Sequence, residues 1–144
     1  PFTMAGGVVD PLPENAPQFV KDYYAYYKTP RGYHKRSGNS NDGWRAIGCQ
    51  AYANTRFLYY INEIRSAVLI VHGEKAHSRY FGESAFRYMM DGKAEGYDFV
   101  RKPNPVPENK QLIIIPGASH CDLYDGGGKG MIPWDNIEEF LKKN

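Results

Sequence analysis

The chain has 144 residues, of which 42% are hydrophobic and 24% charged, and its net charge of +2 gives no reason to expect a nucleic-acid partner. This is the size and composition of one globular domain, and no apolar run approaches the roughly 20 residues of a membrane-spanning helix. Two cysteines, Cys49 and Cys121, are too few for a disulfide framework, which is compatible with a reducing compartment and favours a cytoplasmic location.

The N-terminal part of the chain has few strand signals. Residues 1–13 are rich in glycine and proline and predict a loop, and they show neither an initiator methionine nor a signal-peptide pattern, which indicates a cut N-terminus. Helical spacing then predicts a helix that begins near Glu14 and ends before Thr29-Pro30, with Phe19, Val20, Tyr23 and Tyr27 along it. We expect a surface loop over residues 31–43 and favour a helix over a strand for residues 44–64.

Two apolar runs dominate the second half of the chain. Residues 67–73 and 111–115 are continuous and rich in β-branched side chains, which is typical of strands covered on both faces in a parallel sheet. Helical spacing between them predicts a crossover helix over residues 79–90, followed by a long connection over residues 93–110. Pro133 opens a last amphipathic helix, so the predicted order is β-α-β-α.

Polar residues follow both predicted strands, where open α/β sheets place their ligands. Three segments of the second half resemble the C-terminal part of an α/β-hydrolase, most of all the dienelactone-hydrolase-like group. They are VLIVHGEKAHSRYFGESAF, IIIPGASHCDLYD and IPWDNIEEFLKK. The upstream stretch YYKTPRGYHKRSGNSNDGW resembles the cap region of some members. The resemblance implies a fragment of a larger α/β fold, with a helical cap and linker over residues 1–65 and the C-terminal core over residues 66–144.

His120 is the main catalytic candidate. It follows an apolar strand and a Pro-Gly turn, so its imidazole is expected at a strand end, where it can take a proton from a nucleophile and return it to a leaving group. In the resembled family the orienting acid follows the preceding strand as G-x-x-D, a position that Ala76 occupies here. Glu74 lies two residues earlier and is our candidate for the acid, the alternative being an acid upstream of this chain.

The nucleophile elbow, G-x-S-x-G on a strand-to-helix turn, is absent from these 144 residues. Ser84 follows a glycine, but Phe86 stands at the second glycine position and no strand precedes it. Cys49 has the right place in the order of nucleophile, acid and histidine, but lacks the flanking glycines, so a small buried thiol is the favoured interpretation. We therefore expect this chain alone to be inactive.

Binding residues and partners follow from the same resemblance. Arg79 is a candidate for holding a substrate carboxylate, with a structural ion pair as an equal alternative. His72, His77, His120 and Asp122 lack a spacing typical of a metal site, and no metal or cofactor is expected. The resemblance implies a serine-type hydrolase acting on an ester, lactone or similar acyl bond of a small molecule.

The alternative function is a non-catalytic fragment or interaction module. Two strands leave unpaired edges, which favour pairing with the missing N-terminal half of the fold or with another copy of the chain.

Overall fold

The computed structural model describes residues 3–4, 6–93 and 101–144 and shows a small α/β fold. Within those ranges the chain forms six α-helices and a two-stranded parallel sheet, together with a short antiparallel strand pair. It divides into two compact units, Pro1–Thr55 and Arg56–Asn144. The division of the chain into a cap and a hydrolase core at residue 65 stays a prediction. Parts of the predicted loop over residues 1–13 and of the connection over residues 93–110 lie outside the described residues.

In its described residues, the first unit contains three helices and one strand pair. Strand β1 (Thr3–Met4) pairs antiparallel with β2 (Trp44–Arg45). The helices are α1 (Gln18–Tyr27), α2 (Gly38–Asp42) and α3 (Ala46–Asn54).

Helix α1 begins four residues later than the sequence predicts, directly after Pro17. Proline has no backbone N–H and its ring clashes with a preceding helical turn, so Pro17 cannot lie inside the helix. The predicted end before Thr29-Pro30 is confirmed. Inside the helix the rings of Phe19 and Tyr23 meet edge to face, with centroids 6.4 Å apart.

Two expectations for residues 31–64 need correction. The predicted surface loop contains the short helix α2, and the helix favoured for residues 44–64 covers only α3. The side chains of Asn54 and Thr55 explain why α3 ends. They donate hydrogen bonds back to the carbonyl oxygens of Gln50 (2.9 Å) and Ala51 (2.7 Å), which satisfies acceptors of the last turn.

The second unit has the predicted β-α-β-α order with one short helix, which the sequence did not predict, added before the last helix. Strand β3 (Val68–Gly73) runs parallel to β4 (Lys110–Ile115), in a register that pairs Val68 with Lys110 and Gly73 with Ile115. Helix α4 (Arg79–Asp91) crosses between them and contacts both strands, as the spacing predicts. After β4 come the short helix α5 (Asp122–Asp125) and the terminal helix α6 (Trp134–Lys143).

The core of the second unit is small and lies beside the loops rather than around the strands. Met89 of α4 and Cys121, next to α5, are the largest fully buried side chains, with relative exposures of 1% and 0%. The apolar strand residues are half-buried, because the described sheet has two strands and α4 packs on it. Trp134 and Leu141 of α6 remain 66% and 69% exposed. Many of the apolar side chains in the second unit therefore remain partly or largely exposed.

None of the helices in the described ranges combines the length and the hydropathy that crossing a membrane requires.

Candidate active site

The loops that follow β3 and β4 are joined by hydrogen bonds at the carboxyl end of the sheet. Glu74 N donates to the Ile115 carbonyl and Lys75 N donates to the Ala118 carbonyl, each at 2.9 Å. Gly117 turns the second loop with a φ of +71°, a conformation that favours glycine. Two strand ends thus present their polar side chains on one shared surface.

His120 lies in the second loop, and both of its ring nitrogens have hydroxyl partners. Nδ1 is 2.8 Å from Oγ of Ser78, which lies in the loop after β3. Nε2 is 2.7 Å from the hydroxyl of Tyr124, on α5. The Tyr124 ring stands edge-on to the imidazole, with centroids 5.4 Å apart. The imidazole is therefore fixed in position and in plane by residues from two neighbouring loops.

The surroundings of His120 disfavour its protonated form. Partial burial lowers the pKa of His120 below its ordinary value, and the neighbouring His77 and then His72 lower it further. Their ring centroids lie 6.0 Å and 6.4 Å from that of His120. Burial also lowers the pKa of His72; Glu83 opposes this shift and Arg79 adds to it. A neutral imidazole is the form that can accept a proton.

Glu74, the candidate acid, is the first residue of the loop after β3, and its side chain reaches the loop after β4. Its carboxylate accepts a hydrogen bond of 2.7 Å from the backbone N–H of Gly117, three residues before His120. Nδ1 of His120, which an orienting acid would contact, has Ser78 as a partner instead. The role of Glu74 as the triad acid stays a prediction.

Arg79, the candidate for binding a substrate carboxylate, opens α4. Its Nε lies 3.1 Å from Oε1 of Glu83, one turn further along the helix, and Nη1 donates to the Glu74 carbonyl oxygen at 3.1 Å. Both members of the ion pair are about two-fifths exposed, at 40% and 43%. The guanidinium group thus stands beside the loop after β3 and is open to solvent.

The two rejected nucleophile candidates lie on helices. Ser84 is in the middle of α4, and Cys49 is in α3, in the unit formed by residues 1–55. The buried thiol predicted for Cys49 is half-buried, whereas Cys121 is fully buried. Among the described residues, no group of three histidine, cysteine, aspartate or glutamate side chains is arranged to hold a metal ion.

Two contributors to the site, Ser78 and Tyr124, have no motif that sequence reasoning could use, and both contact the imidazole. Asp122 accepts a hydrogen bond of 2.9 Å from Ser119 N, which fixes the turn into α5. Tyr124 lies four residues after His120, a separation that places two side chains on one face only if the intervening residues are helical. That helix is one turn long, too short for periodicity to reveal it.

The chain is similar to part of a longer protein. No family model matches its sequence. It is 41% identical over 128 residues to "Uncharacterized protein PA2218" of Pseudomonas aeruginosa, a match that covers 88% of this chain and 29% of the relative. The crystal structure of hypothetical protein PA2218 from the same organism matches with a TM-score of 0.69, covering 92% of this chain and 36% of that one. The chain thus spans about a third of the length of the relative it matches.

Proposed function

We propose that this chain is the C-terminal part of a serine-type α/β-hydrolase that cleaves an ester, lactone or similar acyl bond of a small molecule. His120 is the general base and acid of that reaction. The nucleophile belongs to a part of the fold outside these 144 residues, because the elbow motif that would carry it does not occur in them. The resemblance to the dienelactone-hydrolase-like group supports the class of substrate.

The observation that supports this proposal most directly is the hydrogen bonding of His120. Its two nitrogens contact two hydroxyl groups at 2.8 Å and 2.7 Å, at the carboxyl end of a parallel strand pair. A histidine that serves as a general base needs this arrangement, in which one nitrogen is held while the other faces a hydroxyl. Tyr124 takes the position at Nε2 in this chain, and in the intact fold the nucleophile hydroxyl replaces it.

The proposed reaction uses that geometry in two steps. The nucleophile oxygen attacks the acyl carbon while Nε2 of His120 takes its proton, and the same nitrogen then protonates the leaving oxygen as the acyl–oxygen bond breaks. Water, deprotonated by His120, releases the acyl group in the second half of the reaction. Glu74 contributes by holding the loop of His120 through Gly117, or as the acid itself, and Arg79 binds a carboxylate of the substrate.

A fluorophosphonate probe tests where the nucleophile lies. We expect no covalent label on this chain by intact mass, and no turnover of an activated ester such as 4-nitrophenyl acetate. Labelling of a serine in this chain, lost in His120→Ala, would place the nucleophile within these 144 residues.

A chimaera tests the reaction itself. The 128-residue segment of PA2218 that matches this chain is replaced by the corresponding residues of this chain. We expect one fluorophosphonate label and ester hydrolysis, and loss of hydrolysis in the His120→Gln version of the chimaera. Natural PA2218 is the control for folding of the chimaera. Absence of both label and hydrolysis in natural PA2218 and in the folded chimaera would contradict the proposal.

The alternative is a non-catalytic interaction module, and the sheet edges favour it. Strands β3 and β4 pair with each other along one edge each, and within the described residues no third strand pairs with either of them. Half-buried strands with free edges favour addition of a strand from another chain or from the missing half of the fold. Light scattering during size-exclusion chromatography distinguishes this case, since a stable dimer supports the module and a monomer argues against it.

A further inference from the structure

Ser78 makes an unusual hydrogen bond for a serine that directly precedes a helix. It is the N-cap residue of α4, where a serine hydroxyl commonly accepts a hydrogen bond from a free backbone N–H of the first turn. The Ser78 side chain makes no such cap hydrogen bond. Its Oγ instead lies 2.8 Å from Nδ1 of His120, which is 42 residues away in the sequence.

We propose that Ser78 is the positioning residue of His120, which holds the neutral imidazole in the tautomer with its proton on Nδ1. In this arrangement Nδ1–H donates to the Ser78 hydroxyl oxygen. The lone pair of the ring is then on Nε2, where the Tyr124 hydroxyl donates to it. The role of Ser78 in a reaction rests on the proposed function of His120 as general base.

The chemistry of the two hydroxyl groups determines the direction of the hydrogen bonds. The Tyr124 hydroxyl is a phenol, and phenols are more acidic than aliphatic alcohols, so it is a better donor and a poorer acceptor than the hydroxyl of Ser78. A neutral imidazole has one donor and one acceptor nitrogen. The combination of lowest energy therefore has the phenol donating to Nε2 and Nδ1–H donating to the serine.

The loop after β3 carries the acid position of the resembled family, the candidate acid Glu74, and Ser78. His77 lies in the same loop and makes a ring contact, with its centroid 6.0 Å from that of His120. Ala76 has no polar side chain and is buried, while the Glu74 carboxylate is bound to Gly117 N at 2.7 Å. Ser78 is the member of that loop for which the structure shows a hydrogen bond to the imidazole. An uncharged hydroxyl orients the ring without the stabilisation that a carboxylate would give to the protonated form. The low pKa of His120 agrees with such a partner.

Nitrogen NMR of the histidine rings tests the proposal without any turnover. Long-range ¹H–¹⁵N spectra of the ¹⁵N-labelled chain are recorded at pH 8, well above the lowered pKa of His120, and the His120 signals are identified by their loss in His120→Gln. We expect the Nδ1–H tautomer in the natural chain. In Ser78→Ala we expect the ratio of Nδ1–H to Nε2–H forms to fall about fivefold, the factor that one hydrogen bond of ordinary strength is worth.

Two further variants separate positioning from general damage to the fold. Ser78→Thr keeps the hydroxyl and restores the ratio, whereas Glu74→Gln leaves it unchanged. The proposal is overturned by an Nε2–H tautomer in the natural chain, by an unchanged ratio in Ser78→Ala, or by a shift that Thr does not restore. A change in Glu74→Gln alone would assign the role to Glu74. None of these outcomes depends on labelling or hydrolysis, so the tautomer proposal and the hydrolase proposal fail separately.

Discussion

Gly73, the last residue of β3, packs against the carbonyl group of Ala118 in the loop that carries His120. A Cβ built on Gly73 would overlap the Ala118 carbonyl oxygen and stand 2.7 Å from that of Ser119. Both neighbours are backbone atoms, which cannot move aside as a flexible side chain could. The distance between the two loops is therefore set by the absence of a side chain at this position.

We predict that Gly73→Ala destabilises the chain by about 1–3 kcal/mol, the usual range for overpacking. The added methyl group separates the two loops and weakens the hydrogen bond from Lys75 N to the Ala118 carbonyl. Urea unfolding measures the change. Gly48→Ala is the control: Gly48 is in α3, where an added Cβ meets no atom within 4 Å and alanine favours the helix. A loss no larger at Gly73 than at Gly48 would show that the loops tolerate the methyl group.

The lowered pKa of His120 predicts a loss of stability in mild acid. The folded state disfavours protonation because burial, His77 and His72 lower the pKa of His120 below the 6.5 of an ordinary histidine. The unfolded chain then binds more protons below pH 6.5, so the free energy of unfolding is highest above that pH. It falls as the pH drops from 6.5 towards the lowered pKa.

Urea unfolding at a series of pH values between 8 and 5 measures this dependence. His120→Gln removes one titrating group and reduces the slope, while His72 retains its own contribution, since its pKa is lowered too. We expect the double variant, which also carries His72→Gln, to show a still smaller slope of the free energy of unfolding against pH. A slope of the same size in all three chains would rule out these histidines as its source.

The sequence predicts the β-α-β-α order well, because each of its elements has a signal of its own. The apolar runs of β3 and β4 and the periodicity of α4 are local properties, and their parallel pairing follows from the helix between them. The burial of a strand on both faces is not a local property, because it depends on the elements that pack against the sheet. The described sheet has two strands. The error over residues 44–64 has a different, local cause, since α3 ends where the side chains of Asn54 and Thr55 donate hydrogen bonds to carbonyl oxygens four residues earlier.

Two buried asparagines connect the turn before β3 with the segment before β4. Asn104 is 5% exposed and donates to the carbonyl oxygens of Asn62 (3.0 Å) and Ile64 (3.1 Å). Asn62 in turn donates to the Lys102 carbonyl at 2.8 Å. We predict that Asn104→Ala lowers the free energy of unfolding by about 1–3 kcal/mol, because it leaves buried carbonyl groups without their donor.

Asn109→Ala is a matched control for Asn104→Ala. Asn109 donates to the carbonyl oxygen of Arg65, in the same turn region, but that hydrogen bond is exposed and water can replace it. Its side-chain oxygen also accepts a hydrogen bond from Nζ of Lys110, which keeps the Val106 carbonyl oxygen as an acceptor when Asn109 is replaced. We expect the loss at Asn109 to be about 1 kcal/mol or less. Urea unfolding of both variants measures the two losses in free energy of unfolding. Equal losses would mean that the burial of Asn104 does not determine how much it contributes to stability.

At the site, the sequence located His120 and its loop but not the partners of its ring. The position of His120 follows from the strand and the Pro-Gly turn before it, which are local features. The contact with Ser78 depends on the parallel register of two strands that are about 40 residues apart, and on a serine that does not cap its helix. Such a contact becomes visible only when both loops are placed at the same end of the sheet.

Arg79 and Glu83 give the last prediction, because their ion pair competes with any carboxylate ligand. An exposed pair of this kind is worth about 1 kcal/mol or less, so Glu83→Gln should leave the fold intact while it releases Nε of Arg79. We expect Glu83→Gln to bind a small carboxylate such as benzoate up to about fivefold more tightly than the natural chain, since the competing carboxylate is removed. Titration followed by the ¹H–¹⁵N signal of the Arg79 Nε–H measures the affinity.

Arg79→Gln is the control that removes the site, with binding followed by the backbone signals of α4. Equal affinity in the natural chain and in both variants would exclude Arg79 as a carboxylate-binding residue and leave its ion pair as a structural feature of α4.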